Sequence, residues 1–210
     1  MREGLNIVCV VAALGMLGIG AGCVSSSSDA QRKAAEQKRT YLLEAGMPTA
    51  KLAGGWRDGV KVRAFRGLPP FNTASIVVKR ANGETALDFY NAWVAPPHEL
   101  VRVQAMRYLE AAGLFPAVYD GASGTAAPLG LEGTVCELFL DCRGARPEAV
   151  VTLRLAVLDE RAPQFTVLRS AEKTARAAYD AERGGGLPCA FNAALTQALG
   201  ELAEALGVNR

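Results

Sequence analysis

The stretch "SIVVKRANGETALDFYNAWVAPPHELVRVQAMRYLEAAG", residues 75–113, carries two β-rich runs, a turn, a proline pair and an amphipathic run in that order. Asn82-Gly83 stands between the two runs, and both residues tolerate positive φ, so the segment predicts a tight β-hairpin. Pro96-Pro97 then stops the second strand, because proline cannot donate to a ladder, and suits the first turn of a helix. Leu100, Val103, Met106, Leu109 and Ala112 follow at helical spacing, Glu99 complements the helix dipole, and Gly113 supplies the stop. Hairpin followed by helix is the unit from which the fold is read.

Outward from that unit, "VKVRAF" (60–65) alternates strictly and predicts a half-buried strand. "LFPAVY" (114–119) reads as a strand leaving the helix, and the turn-rich "DGASGTAAPLG" closes the first half. "EGTVCELFLDC" (132–142) and "EAVVTLRLAVLDE" (148–160) are long strand candidates joined by "RGARP". "QFTVLRSAEKTARAAY" (164–179) begins as a strand, and its later part suits a helix equally well. "LPCAFNAALTQALGELAEAL" (187–206) is a final amphipathic helix with Phe191, Leu195, Ala198, Leu199, Leu202 and Leu206 towards one side. Each half therefore has strands followed by one helix. That order predicts an α+β, two-layer domain: a mostly antiparallel sheet with two main helices on one face.

The chain has 210 residues, 50% of them hydrophobic and 21% charged, and a formal net charge of +2. Such a length accommodates one domain with a sizeable core plus a tail. So small a charge makes no basic stripe, which argues against nucleic acid as a partner.

The amino-terminal end has another character. Ile7 to Ile19 is an uncharged apolar run behind Arg2, and it leads into Gly20-Ala21-Gly22-Cys23, the order of an export signal. The run is short for a bilayer span, which needs about 20 apolar residues. Gly20-Ala21-Gly22-Cys23 resembles the lipobox of bacterial lipoproteins, although Gly20 stands where that motif usually has Leu. The resemblance implies a Cys23 thiol thioether-linked to diacylglycerol, cleavage before it, and acylation of the new amino terminus. An uncleaved anchor and a plain secretory cut are the alternatives. Residues 1–22 then form a lipoprotein signal peptide and 23–39 a polar tether, leaving 40–210 as the folded domain. Val24 and Ser25 follow the cysteine with no Asp. By resemblance to the proteobacterial sorting rule, this favours the outer membrane, with the domain facing the periplasm.

Little in the domain suggests chemistry. His98 is the only histidine, so His-pair metal sites are excluded and every catalytic triad is weakened. Cys136, Cys142 and Cys189 lack Cys-x-x-Cys spacing, which disfavours zinc. Cys136 and Cys142 lie about 20 Å apart along one strand and cannot pair with each other. In a meander the chain returns towards Cys142 just before Cys189, so the choice lies between a Cys142–Cys189 bridge and three unpaired thiols. Asp88 and Asp141 read as carboxylates on solvated hairpin strands. Gly184-Gly185-Gly186 has no following Lys-Ser/Thr and reads as a hinge. Trp93, beside two prolines, is either an exposed partner anchor or a core aromatic under the first helix. Trp56, in the Gly-rich loop "AGGWRDG", is a second candidate for partner binding. No cofactor, metal or catalytic residue is expected, and the chain reads as a non-enzyme.

An ordered set of motifs carries a family resemblance. Thr40-Tyr41-Leu42-Leu43 is followed by Ile76-Val77-Val78-Lys79-Arg80, then by Phe89-Tyr90-Asn91-Ala92-Trp93 with Pro96. Gly113-Leu114-Phe115 with Val118 comes next, and Phe139-Leu140-Asp141 closes the series. In this order they resemble the ABC-type transport auxiliary lipoproteins, over roughly residues 40 to 205. The loop of residues 44–59 and the cysteines fall outside that pattern. The resemblance implies a non-catalytic envelope accessory whose partners are an MCE-domain protein and an ABC permease and ATPase. It also implies membrane attachment through the N-terminal lipid, homo-oligomerisation and contact with transported lipid. The rival reading is a structural or assembly lipoprotein of the outer membrane, unrelated to transport.

Overall fold

The computed structural model describes residues 38–161, 163–180 and 186–207. In chain order the elements are β1 Arg39–Tyr41, β2 Val60–Val62, β3 Arg66–Gly67, β4 Ser75–Arg80, β5 Thr85–Trp93, α1 Pro97–Ala111, β6 Val118–Asp120, β7 Leu129–Cys142, β8 Glu148–Asp159, β9 Thr166–Ala178 and α2 Gly186–Leu206.

The Asn82-Gly83 hairpin forms as expected. Gly83 takes φ +83°, its amide donates to the Arg80 carbonyl, and β4 and β5 pair antiparallel. Helix α1 begins on the proline pair, with Pro97 as its first residue. It ends where Gly113 adopts φ +67° and Leu114 donates back to the Leu109 carbonyl at 3.1 Å. The buried face of α1 is rotated from the one read in the sequence. Val101, Gln104, Ala105, Tyr108 and Leu109 lie inward, whereas Val103 is exposed. Gln104 tolerates burial because its side-chain oxygen accepts the Ala45 amide at 3.1 Å, so the polar group keeps a partner.

Strand β7 organises the sheet. Along one edge it pairs antiparallel with β8, which pairs antiparallel with β9. Its other edge takes three short partners in turn, all parallel: β2 at Leu129–Leu131, β3 at Thr134–Val135 and β4 at Phe139–Cys142. Beyond β2 lies β6, and beyond β4 lie β5 and then β1. The β4–β5, β7–β8 and β8–β9 ladders are antiparallel and the others parallel, so the sheet is mixed within the expected α+β class. Strand β9 runs to Ala178 with no helical part, because each of its residues finds a partner on β8 except at one bulge.

Most of the core lies on one face of the sheet, although Phe139 and Val150 are buried on the other. On β8 the odd-numbered residues Ala149, Val151, Leu153, Leu155 and Val157 are all buried. Helix α2 packs over β8 and β9 with Phe191, Leu195, Ala198, Leu199, Leu202 and Leu206 inward, the face its sequence predicts. Helix α1 packs over β6 and β7 and touches α2. Burial of such side chains contributes about 1.5–3 kcal/mol each before the entropy cost of ordering them. Among the described residues, the cluster of buried apolar side chains runs from Leu43 to Leu206. The other face is laced with charge: Lys79 to Glu137 at 3.3 Å, Arg154 to Glu172 at 2.6 Å, and Arg176 to both Asp141 and Glu148 at 3.4 Å.

Candidate functional site

The two tryptophans are not the exposed anchors that the sequence allowed. Trp93 is only 2% exposed, and its ring meets Phe191 of α2 edge-on at 5.0 Å, so it is a core aromatic under the second helix. Its indole N–H, like Nδ1 of His98, is buried without a hydrogen-bond partner. Trp56 is half-buried, stacked on Phe115 at 6.2 Å, and its indole N–H donates to the Leu206 carbonyl at 3.1 Å. It closes the carboxyl end of α2, where backbone carbonyls otherwise lack partners.

Cys136, Cys142 and Cys189 are free thiols, so the Cys142–Cys189 bridge considered from sequence is not formed. Cys142 ends β7 and packs against the core, while Cys189 is exposed on the first turn of α2. Burial pushes the Cys136 and Cys142 thiols up, with Glu172 and Asp141 as the respective neighbouring negative charges. Cys23 lies outside the described residues. Among the described residues no group of three or more His, Cys, Asp or Glu is placed to hold a metal ion.

Asp88 and Asp141, read from the sequence as solvated carboxylates, are both bonded. Asp141 receives the Arg143 guanidinium on both carboxylate oxygens, at 2.8 and 2.7 Å. These bonds, outweighing burial, hold its carboxyl well below the usual carboxylate range. Asp88 accepts the backbone amides of Tyr90 and Asn91 at 2.9 and 3.0 Å, and the Asn91 side-chain amide at 2.8 Å.

Two surfaces stand out among the described residues. The first lies where β2 ends. A cleft of about 640 Å³ is lined by Lys61, Arg63, Arg102, Asp120 and Glu160 among others. Its cations are held in place: Arg102 binds Asp120 at 2.6 Å, Arg63 binds Glu160 at 2.8 Å, and the Lys61 ammonium donates to the Ser123 carbonyl at 2.9 Å. The Arg102 hydrogen bond holds the Asp120 carboxyl below its ordinary range. Arg63 also sits 4.4 Å over the ring of Phe165, which with Val167 and Leu168 forms an exposed apolar patch at the start of β9. The outer edge of β9 has no strand partner among the described residues. Cleft, patch and open edge are therefore contiguous. The strict alternation Val60-Lys61-Val62-Arg63 was the sequence signal for Lys61 on β2 and Arg63 just beyond it, since it sets both on one face.

The second surface lies on β5. Between Leu87, opposite Val77, and Ala92, opposite Ser75, the strand gains residues relative to β4 and bulges. Asp88 fixes that bulge by taking two backbone amides. Phe89 is thrown out to 79% exposure, with its ring edge-on to exposed Tyr90 at 5.2 Å, and Leu87, two residues earlier on the strand, is exposed as well. Strand β1 covers only Asn91–Trp93 of the outer edge. Leu87 is level with Val77 and thus with Phe139 of β7, whereas the cleft residue Val62 is level with Leu131. The two surfaces are separated by about 26 Å along β7.

No family model and no curated protein matches the chain. Solved structures do share the fold. A Xanthomonas campestris protein assigned to the DUF330 family is 18% identical, with a TM-score of 0.64 over 80% of this chain and 93% of that one. An uncharacterized protein reaches 0.56 at 14% identity, covering 80% of this chain and 95% of its own. A hypothetical protein from Chlamydia trachomatis reaches 0.50 at 9% identity, covering 73% of this chain and all of its own. At these identities the likeness is one of fold.

Proposed function

We propose that this chain is a non-catalytic accessory lipoprotein of an ABC/MCE-type lipid-transport system, tied to the cell envelope through Cys23 and acting by binding other proteins. The ordered motifs of the sequence support the transport assignment, and the lipobox-like Gly20-Ala21-Gly22-Cys23 supports the anchor. The observation that carries the binding role is the contiguous surface at the β9 margin: an open strand edge, the exposed Phe165, Val167 and Leu168, and the cleft beside Arg63. An open edge offers main-chain hydrogen bonds to an incoming strand, and apolar side chains beside it give that contact specificity. A second copy of this chain is a rival occupant of the same edge.

Affinity purification in mild detergent tests the assignment. The MCE-domain protein is expected to co-purify with the native chain and to be lost with Phe165→Ser/Leu168→Lys. Repeated failure of the correctly folded native chain to retain it would remove the transport reading. Sedimentation of the native chain alone shows whether a second copy takes the edge. Mass spectrometry of the mature amino terminus tests the anchor: acyl groups on a chain beginning at Cys23 are expected.

A further inference from the structure

The protrusion on β5 has side chains to offer and little backbone. The Asp88 carboxylate already occupies the amides of Tyr90 and Asn91, and the bulge breaks the flat edge that an added strand would need. Leu87, Phe89 and Tyr90 are all exposed within four residues of one strand, an aliphatic and two aromatic groups of which Tyr90 carries a polar tip. Phe and Leu gain by entering an apolar phase, and Tyr suits the level where that phase meets water.

The path of the chain points the same way. Strand β1 lies parallel to β5 with Arg39 opposite Asn91, and continuing that register back one residue brings Lys38 level with Tyr90. The polypeptide thus leaves the domain towards Cys23 directly beside the protrusion. Fourteen residues lie between Cys23 and Lys38, a reach of at most about 54 Å when fully extended. Residues 23–39 hold four cations, Arg32, Lys33, Lys38 and Arg39, against the two carboxylates of Asp29 and Glu36. Lys38 and Arg39 are exposed. Cations around an apolar tip favour a surface of anionic lipid.

We propose that Leu87, Phe89 and Tyr90 form a membrane-contact site that enters the interfacial layer of an anionic bilayer, with Lys38 and Arg39 meeting its headgroups. This rests on the reading of the chain as membrane-anchored and adds a second point of attachment, which would fix the orientation of the domain.

The test uses residues 24–210 without lipid, a chain that keeps every described residue and the apolar cluster from Leu43 to Leu206. Phe89→Trp is expected to shift its emission to the blue when vesicles of phosphatidylethanolamine and phosphatidylglycerol are added. Vesicle affinity is expected to fall at least about tenfold in Leu87→Ser/Phe89→Ser/Tyr90→Ser. It should weaken with added salt in the native chain, and less so in Lys38→Gln/Arg39→Gln. Val103→Ser, an exposed apolar change on α1, should leave it unaltered. Absence of vesicle binding by the native chain would overturn the site, as would equal binding by the triple variant with unchanged circular dichroism. Phe89→Ser that loses the co-purifying MCE-domain protein yet keeps full vesicle affinity would also overturn it, in favour of a protein partner. An unlipidated amino terminus in the cell, found together with retained vesicle binding, would sink the anchor and leave this site standing.

Discussion

Asp88 is bonded to Asn91 twice, through the backbone amide at 3.0 Å and the side-chain amide at 2.8 Å, and Asn91 in turn accepts the Tyr41 hydroxyl at 3.0 Å. One carboxylate thus fixes the β5 bulge and, through Asn91, the seat of β1. Asp88→Ala leaves backbone amides without their acceptor and is expected to lower stability by about 1–2 kcal/mol. Asp88→Asn, which keeps an acceptor, should retain most of it. Thermal melts of the two variants check this, and a loss in Asn equal to that in Ala would count against the bulge as the cause.

Asp141 gives a pH signature. Its carboxyl is held low by Arg143 in the folded protein. A carboxyl depressed on folding contributes stability above its unfolded pKa, about 3.9, and that contribution is lost as pH falls through the folded value. Asp141→Asn should therefore melt below the native protein at neutral pH, and the gap should close as the pH drops below about 4. Melts across that range read the effect directly, and a gap that stayed constant would contradict it.

Gly133 on β7 lies under the Phe65 ring, in the space that a Cβ would occupy. Gly133→Val must displace a buried ring from the core and is expected to cost about 1–3 kcal/mol. Gly124, where an added Cβ meets nothing within 4 Å, supplies the neutral comparison as Gly124→Ala. Urea unfolding midpoints of the two should differ sharply.

The indole of Trp56 does two separable things. Trp56→Phe keeps a ring against Phe115 but loses the bond to the Leu206 carbonyl, a loss of about 1 kcal/mol. Trp56→Ala loses both and should cost about 3 kcal/mol or more. Amide exchange in the last turn of α2 should quicken in both variants, which separates the capping role from simple packing.

With all three thiols free, Cys189 is the exposed one. A maleimide should label it first under native conditions, and all three once the chain is denatured without reductant. A single labelled thiol under those denaturing conditions would restore the Cys142–Cys189 bridge.

The parts of the fold written in the sequence were those set by local rules. Asn82-Gly83 can hardly make anything but a tight turn, and Phe191 to Leu206 show an unbroken apolar face. What escaped was set by distant partners. The Ala, Glu and Lys content of residues 170–178 suits a helix, yet continuous pairing with β8 overrides that propensity. The burial of Gln104 on the inward face of α1 is satisfied by a bond from the distant Ala45 amide, which nothing near position 104 announces. The parallel seating of β2, β3 and β4 along β7 is equally invisible, because each is too short to show its neighbour. The β5 surface was hidden for a related reason: whether Phe89 lies in or out turns on a bulge, and a bulge is a matter of register.

Strand β7 runs past both surfaces and is clamped by β8 along nearly its whole length. It thereby acts as a rigid strut. Under the proposed function, a protein seated in the cleft would be held at a set height above whatever Phe89 touches, and a tilt at one end would become a tilt at the other. Communication between the two would need no change of shape, only a change of attitude.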